Sequence, residues 1–168
     1  MKHFIIYNSP AGSLRIVENG TGITNIDFLT NKPENPAEAE EKETFLLQTA
    51  AKQLSEYFAG KRTHFDVKLD LHGTDFRKRV WNVLCTIPYG ETRTYKQIAE
   101  CAGCPKGARA VGLANNRNPV SIIVPCHRVI GANGSLTGYA GGLNIKQILL
   151  DIEQRNQFIF KAKPIGKK

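Results

Sequence analysis

The sequence of residues 94–115 is TYKQIAECAGCPKGARAVGLAN, and it decides the fold of the carboxy-terminal half. Thr94 can cap a short helix over residues 95–101, after which glycine and proline residues interrupt the helical pattern. Helical spacing resumes over residues 108–115. Two short helices around a glycine-bearing turn predict a helix-turn-helix, whose second helix faces nucleic acid. Helical hairpins that bind no DNA show the same spacing, so function needs further evidence.

The second of these helices is unusual for one that reads bases in a groove. Its side chains are small and almost uncharged: Ala108, Ala110 and Gly112 surround one cation, Arg109. Small residues allow the helix to approach a surface closely, and a single arginine can occupy the space left by a base that has left its stack. This composition favours base flipping over sequence reading. The alternative is that Arg109 pairs with a nearby carboxylate or phosphate.

Downstream of this motif, the run Pro125-Cys126-His127-Arg128-Val129 is set among apolar residues. A thiolate is the reactive form of cysteine, and a neighbouring base or cation makes it available at neutral pH. Cys126 beside His127 therefore predicts a nucleophile. The competing interpretation is a buried cysteine that acts as a small apolar side chain.

The amino-terminal half has a different periodicity. Residues 2–7, 13–18 and 22–29 are β-rich runs separated by turn residues, which predicts an antiparallel meander. Apolar residues then recur at helical spacing from Phe45 to Phe58, which predicts one helix covering the sheet, and residues 63–71 alternate like a fourth strand. We expect an α/β domain over residues 1–72 and a mostly α-helical domain over residues 73–168.

In the second domain, Thr74 can cap a helix whose apolar stripe includes Phe76 and Val80 and ends at Pro88-Tyr89-Gly90. We interpret Trp81 and Phe76 as core residues of this helix and expect a last helix over residues 143–154.

Charge is distributed unevenly along the chain. Residues 1–72 hold 8 Lys/Arg and 10 Asp/Glu, whereas residues 73–168 hold 15 and 5. A concentrated positive field attracts polyanions, of which nucleic acid is the commonest. Part of the excess belongs to the terminal residues Lys161, Lys163, Lys167 and Lys168, so a solvated basic tail is the alternative explanation.

Cysteine usage and hydropathy indicate the cellular compartment that we expect for this protein. The four cysteines, at positions 85, 101, 104 and 126, fit no disulfide framework, and neither a signal peptide pattern nor a membrane-length apolar run is present. We expect reduced thiols in a cytoplasmic protein that does not contact membranes. Cys101 and Cys104 form a single CxxC pair without a second pair at zinc-site spacing, so we expect no metal and no cofactor, with redox sensitivity as a minor alternative.

Five segments, in this order and spacing, resemble the O6-alkylguanine-DNA alkyltransferase family, also called methylated-DNA-protein-cysteine methyltransferases, and in particular its bacterial constitutive type. The segments are residues 94–99 (TYKQIA), 108–112 (ARAVG), 118–120 (NPV), 125–130 (PCHRVI) and 138–143 (GYAGGL). The resemblance implies a ribonuclease H-like α/β amino-terminal domain, with an antiparallel sheet and one helix, and a catalytic domain with a winged helix-turn-helix. It implies that the partner is double-stranded DNA with alkylated bases, bound through the minor groove by a monomer.

The resemblance also implies roles for individual residues. Cys126 would accept the alkyl group from a flipped O6-alkylguanine, and from O4-alkylthymine, in a single irreversible turnover. His127 would take the thiol proton through a water, and Glu153 would orient the imidazole. Tyr95 would donate a proton toward N3 of the leaving base, and Asn118 would tie the recognition helix to the active-site segment.

Further residues are implied to bind the DNA or to line the base pocket. The implied DNA-contacting set is Arg109 in the gap left by the base, with Thr94, Ala108, Ala110, Gly112, Arg117 and Arg128. The carbonyls of Cys126 and Val129 would accept from the exocyclic amine of guanine, and Tyr139 and the Ala140 amide would line the pocket. Ala140 stands where some members have serine, which suggests tolerance of bulkier alkyl groups.

Three other functions remain open from the sequence. A non-catalytic lesion sensor would bind the same bases, although such proteins replace the cysteine that Cys126 retains here. A cysteine hydrolase with a Cys-His-Glu set is disfavoured because its cysteine and histidine are normally distant in sequence. A transcription regulator is disfavoured because the second helix has few side chains that can read base edges.

Overall fold

The structure is a computed structural model that describes residues 1–31, 38–139 and 141–162. Its first element is a four-stranded sheet with the strand order β3-β2-β1-β4, formed by β1 (Lys2–Ser9), β2 (Gly12–Glu18), β3 (Ile23–Phe28) and β4 (Ala39–Glu41). The first three strands are antiparallel, as predicted, whereas the short β4 runs parallel to β1. The sheet is therefore mixed rather than purely antiparallel.

One helix, α1 (Phe45–Phe58), packs against this sheet within the predicted bounds. It begins because the Thr44 side chain accepts a hydrogen bond from the Leu47 amide, and Gly60 beyond its end has a positive φ of 74°. The buried face includes Leu47, Leu54 and Tyr57. Phe45, which the sequence placed on the apolar stripe, is instead 84% exposed at the first position of the helix.

The prediction of a fourth strand over residues 63–71 is wrong. Only Leu69 forms a β-bridge to β3, at Ile23, and the other end of the same strand edge pairs with Val120 of the second half. Residues 63–71 cannot pair along an edge that is shared in this way. The alternating pattern reflects a segment that lies along the protein surface with Val67 buried.

The second half is helical. Its helices are α2 (Asp75–Leu84), α3 (Tyr95–Cys101), α4 (Ala108–Asn116) and α5 (Leu143–Ala162). Thr74 caps α2 through the Arg77 amide, and Thr94 with Gln97 forms a capping box on α3, so both predicted caps are confirmed. Trp81 is buried and its indole donates to the Ala114 carbonyl at 2.9 Å, which fixes α4 against α2, while Phe76 is half-buried. Helix α5 continues beyond the predicted end at residue 154.

Two short backbone pairings position the segment that carries Cys126. The Ile26 amide donates to the Pro119 carbonyl at 2.9 Å and the Ser121 amide donates to the Ile26 carbonyl at 3.1 Å, so the first sheet holds the start of this segment. Its end forms β6 (Val129–Ile130), which pairs in parallel with β5 (Arg93–Thr94), directly before α3. The segment is therefore anchored to the sheet at one end and to the helix-turn-helix at the other.

Candidate active site

Cys126 begins a single 3-10 turn, Cys126–Arg128, and its side chain is almost fully buried. Burial raises the pKa of the thiol to about 11, although a hydrogen bond from Asn118 and the positive charge of Lys146 act in the opposite direction. At neutral pH the resting group is therefore a thiol, and its reaction requires a base. Cys85, Cys101 and Cys104 are each exposed or half-buried and lie outside this turn.

The base and its partner lie in the same turn and on α5. His127 is fully buried, and its Nε2 lies 2.6 Å from Glu153 Oε2. A carboxylate can only accept a hydrogen bond, so Nε2 carries the proton. In the neutral imidazole, Nδ1 is then unprotonated and has a free lone pair. Nδ1 is buried and has no hydrogen-bond partner among the described residues. Burial lowers the pKa of His127 despite the opposing effect of Glu153, which keeps the ring able to accept a proton at neutral pH.

Glu153 is the centre of a saturated network. It accepts hydrogen bonds from the Tyr57 hydroxyl at 2.6 Å and from the Gly90 amide at 3.2 Å, in addition to those from His127 and Arg128. Burial acts to raise the pKa of Glu153, but the interactions with His127 and Arg128 outweigh it and hold the pKa well below its usual range. The carboxylate is thus charged, buried and fixed in one orientation.

Arg128 does not have the DNA-contacting position that was predicted for it. Its guanidinium is buried, forms two hydrogen bonds to Glu153 at 2.8 and 3.1 Å, and donates to the Ile87 carbonyl at 2.8 Å. Its charge also lies 5.7 Å from the centre of the Tyr89 ring. The resemblance implied a DNA contact for Arg128, but a two-pronged guanidinium matches an internal carboxylate as well as a phosphate, and here its partner is Glu153.

Two asparagines fix the backbone and sulfur of Cys126. Asn118 donates through Nδ2 to the Val124 carbonyl at 2.8 Å and to Cys126 Sγ at 3.1 Å, and its Oδ1 accepts from the Val120 amide at 2.9 Å. Asn115, which the sequence analysis missed, is buried on α4 and donates to the Cys126 carbonyl at 3.3 Å. The end of α4 is therefore connected to the nucleophile through side-chain amides.

Lys146 is a second residue that sequence reasoning missed. It is fully buried on α5, and its ammonium donates to the carbonyls of Val129 at 2.6 Å and Thr137 at 2.8 Å. Burial lowers the pKa of Lys146 to about 8, and Cys126 opposes this shift. A signal was present in the sequence, since Lys146 and Glu153 lie seven residues apart, on one face of a helix whose neighbours on that face are apolar.

Replacing Lys146 by methionine is expected to remove about 1–3 kcal/mol from the free energy of unfolding, because the carbonyls that its ammonium binds lose a donor. Loss of the charge should also raise the pKa of the Cys126 thiol and move the pH dependence of its reactivity to higher pH. Urea unfolding and a pH-rate profile measure the two effects, with exposed Lys96→Met as the control. A K146M profile that overlies the wild-type profile contradicts the electrostatic role.

Tyr95, Gly138 and Asn116 meet at the surface between α4 and residues 137–139, a place that we call the pocket mouth. The Tyr95 hydroxyl donates to the Thr137 carbonyl at 3.0 Å. A Cβ atom added to Gly138 would lie 3.5 Å from both the Tyr95 hydroxyl oxygen and the Asn116 amide. The mouth is therefore lined by small or polar groups, and the positive φ of 57° at Gly138 favours glycine there.

The predicted pocket residues are placed as follows. Val129 and Tyr139 are buried, and the Tyr139 ring lies edge-on to Phe28 at 6.5 Å between ring centres. The Cys126 carbonyl accepts from the Val129 amide and from the Asn115 side chain, whereas the Val129 carbonyl accepts from Lys146 and has a second lone pair. Ala140 lies outside the described residues.

The predicted DNA-contacting residues of α4 lie on its outer side. Arg109, Ala110 and Arg117 are exposed and Ala108 is half-buried. A Cβ atom on Gly112 would lie 3.8 Å from the Tyr95 ring, so this face of α4 borders the pocket mouth. The Thr94 side chain is engaged in the cap of α3.

Residues 1–31, 38–139 and 141–162 hold neither a metal-binding cluster nor a membrane-spanning helix. No cluster of three or more His, Cys, Asp or Glu side chains there is suited to a metal ion. No helix in those ranges is long and apolar enough to cross a membrane. Lys163, Lys167 and Lys168 of the basic tail lie outside the described residues.

Comparisons with known proteins agree with this geometry. The family model of the 6-O-methylguanine DNA methyltransferase ribonuclease-like domain matches residues 2–71, and that of the DNA binding domain matches residues 75–155. A methylated-DNA–protein-cysteine methyltransferase of Methanosarcina barkeri is 54% identical over 92% of this chain and 98% of its own length. A methylated-DNA–protein-cysteine methyltransferase of Mycobacterium tuberculosis is 51% identical over 92% of this chain and 93% of its own length. The crystal structure of Mycobacterium tuberculosis OGT in complex with DNA superposes with a TM-score of 0.86 at 50% identity, over 92% of this chain and 94% of that one.

Proposed function

Because the chain belongs to the 6-O-methylguanine DNA methyltransferase family, we propose that it repairs DNA by taking the alkyl group of O6-alkylguanine onto Cys126. The reaction is that of a methylated-DNA–protein-cysteine methyltransferase, which reverses the damage directly. O4-alkylthymine is the second lesion that we propose. The wider tolerance of bulky groups that was predicted from Ala140 concerns a residue outside the described ranges.

The observation that carries this proposal is the joint burial of Cys126, His127 and Glu153. His127 is hydrogen-bonded to Glu153, and Cys126 is hydrogen-bonded to α4 of the helix-turn-helix. The thiol needs a base because burial raises its pKa, and His127 presents an unprotonated Nδ1. We propose that Nδ1 takes the proton through one water, while Glu153 stabilises the resulting imidazolium. The sulfur then forms a bond to the alkyl carbon as the bond from that carbon to O6 breaks.

The leaving guanine takes the electron pair of the broken bond and must gain a proton. We assign this role to Tyr95, whose hydroxyl lies at the pocket mouth and can rotate from the Thr137 carbonyl to N3 of the base. The second lone pair of the Val129 carbonyl accepts from the exocyclic amine, and the Cys126 carbonyl shares this amine with its long 3.3 Å bond from Asn115. Asn118 holds the sulfur in line by its 3.1 Å contact.

The partner that we propose is double-stranded DNA with an alkylated base, approached from the minor groove by a monomer. Arg109 is exposed on α4 beside the mouth and would fill the gap left by the extruded nucleotide.

We assign the α/β part to residues 1–72 and the DNA-binding, catalytic part to residues 73–168. Cytoplasmic action is proposed because the four cysteines are unpaired, which suits a reducing compartment.

The test is to incubate the protein with a duplex that contains one O6-methylguanine, and then to measure the intact mass and map the modified peptide. The expected result is a gain equal to one CH₂ unit per molecule, located on Cys126. Cys85, Cys101 and Cys104 are more accessible thiols in the same chain and serve as internal controls for nonspecific alkylation. Folded, DNA-binding protein that gains no mass would instead support the lesion-sensor alternative.

A further inference from the structure

Helix α4 carries an exposed apolar side chain between two exposed cations. Leu113 is 64% exposed, and Arg109 and Arg117 lie four residues before and after it. Residues four apart are neighbours on one face of a helix, so the three side chains form a stripe of cation, leucine and cation. An isolated apolar residue on a surface is ordinary, but this one is placed within the basic face of the helix-turn-helix.

The position of this stripe relative to the pocket mouth is fixed by neighbouring contacts. Gly112, adjacent to Leu113 in the chain, borders the Tyr95 ring. Asn116, three residues after Leu113, lies against Gly138 and the Tyr95 hydroxyl at the mouth. Leu113 therefore lies within one helical turn of the mouth, and a duplex whose base enters there would bring its groove against this part of α4.

We propose that Leu113 is a specificity-determining residue that packs against the base pair next to the lesion and selects against a guanine amine in the minor groove there. This inference rests on the proposed function and adds a readout of flanking sequence to it. Arg109 would occupy the gap left by the flipped base, and Leu113, one helical turn further along α4, would then lie over the adjacent base pair. Arg117, a further turn along, would face a phosphate.

The chemistry of the groove gives the direction of the preference. An A·T pair presents only acceptors in the minor groove, whereas a G·C pair adds the N2 amine of guanine at its centre. Leucine cannot accept a hydrogen bond, so an amine covered by Leu113 loses its water without gaining a partner. A pair without this amine leaves no buried donor and allows closer apolar contact.

The experiment changes one functional group of the DNA at a time. Duplexes carry O6-methylguanine beside either a G·C pair or an inosine·C pair, which lacks only the amine, and each flank is tested separately. The wild-type rate constant for methyl transfer is expected to be about tenfold higher with inosine on one flank. In Leu113→Ala the ratio of the two rate constants should fall toward one.

Phe45→Ala is the matched control, because Phe45 is also an exposed apolar residue at a helix surface but lies on α1. It should keep the wild-type ratio. Reaction with free O6-benzylguanine base should proceed at the same rate in Leu113→Ala and wild type, which shows that the site is intact. An equal rate on both duplexes in wild type, or a ratio unchanged by Leu113→Ala, overturns the inference. Absence of methyl transfer from every duplex would instead refute the proposed function.

Discussion

Replacing Glu153 by glutamine is expected to lower the free energy of unfolding at neutral pH by about 3–5 kcal/mol and to slow alkyl transfer strongly. The carboxylate neutralises Arg128, which remains buried after the change with the Ile87 carbonyl as its other hydrogen-bond partner. The glutamine amide also brings a donor into a place where Tyr57, His127, Arg128 and Gly90 all donate. An uncompensated buried charge is among the most destabilising results of a single substitution.

The pH dependence of stability provides an independent check on the same residue. The folded-state pKa of Glu153 lies below the ordinary value of 4.5, so its contribution is fully present above that value and is lost as pH falls through the folded-state pKa. Wild type should therefore lose stability faster than Glu153→Gln as the pH is lowered below about 4.5. Urea unfolding at a series of pH values measures this difference.

The matched control is Glu100→Gln, the same chemical change at an exposed position of α3. It should change the free energy of unfolding by less than about 0.5 kcal/mol. If Glu153→Gln proved as stable as this control, Glu153 would not be the centre of a buried ionic network.

The elements that follow from local patterns could be predicted from the sequence. Thr94 and Thr74 initiate helices because a hydroxyl three residues before a free amide is a local signal, and α1 follows from the periodicity of its own apolar residues. Cys126 and His127 are adjacent in sequence, so this pair could be recognised without knowledge of the fold.

What could not be predicted depends on contacts between distant segments. Tyr57 fits the apolar periodicity of α1, and nothing within that helix shows that its hydroxyl meets a carboxylate 96 residues later. Residues 63–71 have the alternation of a strand, but the sheet edge beside them is shared with Val120. Arg128 was placed in the DNA-contacting set, because the sequence shows the charge of this residue and not its burial. Each failure is a case in which tertiary contacts override a local pattern.

Replacing Cys126 by serine is expected to abolish alkyl transfer, with a loss on the order of 10⁶-fold, as when the nucleophile of a catalytic unit is removed. Serine retains the size of the side chain and can still accept from Asn118, so the turn should remain folded and lesion binding should persist. The hydroxyl is far less acidic than a thiol, and its oxygen is a poorer nucleophile toward an alkyl carbon. Intact mass after incubation with an O6-methylguanine duplex measures the transfer, and a duplex-binding titration measures the retained affinity.

Cys101→Ser is the control for this experiment, since Cys101 is an exposed thiol on α3 of the helix-turn-helix. It should transfer as the wild type does. Methyl transfer that survives in Cys126→Ser and disappears in Cys101→Ser would relocate the acceptor and contradict the role assigned to the buried turn. Loss in Cys126→Ser with binding retained separates chemistry from recognition, because α4 and the pocket mouth can still engage the lesion when the sulfur is absent.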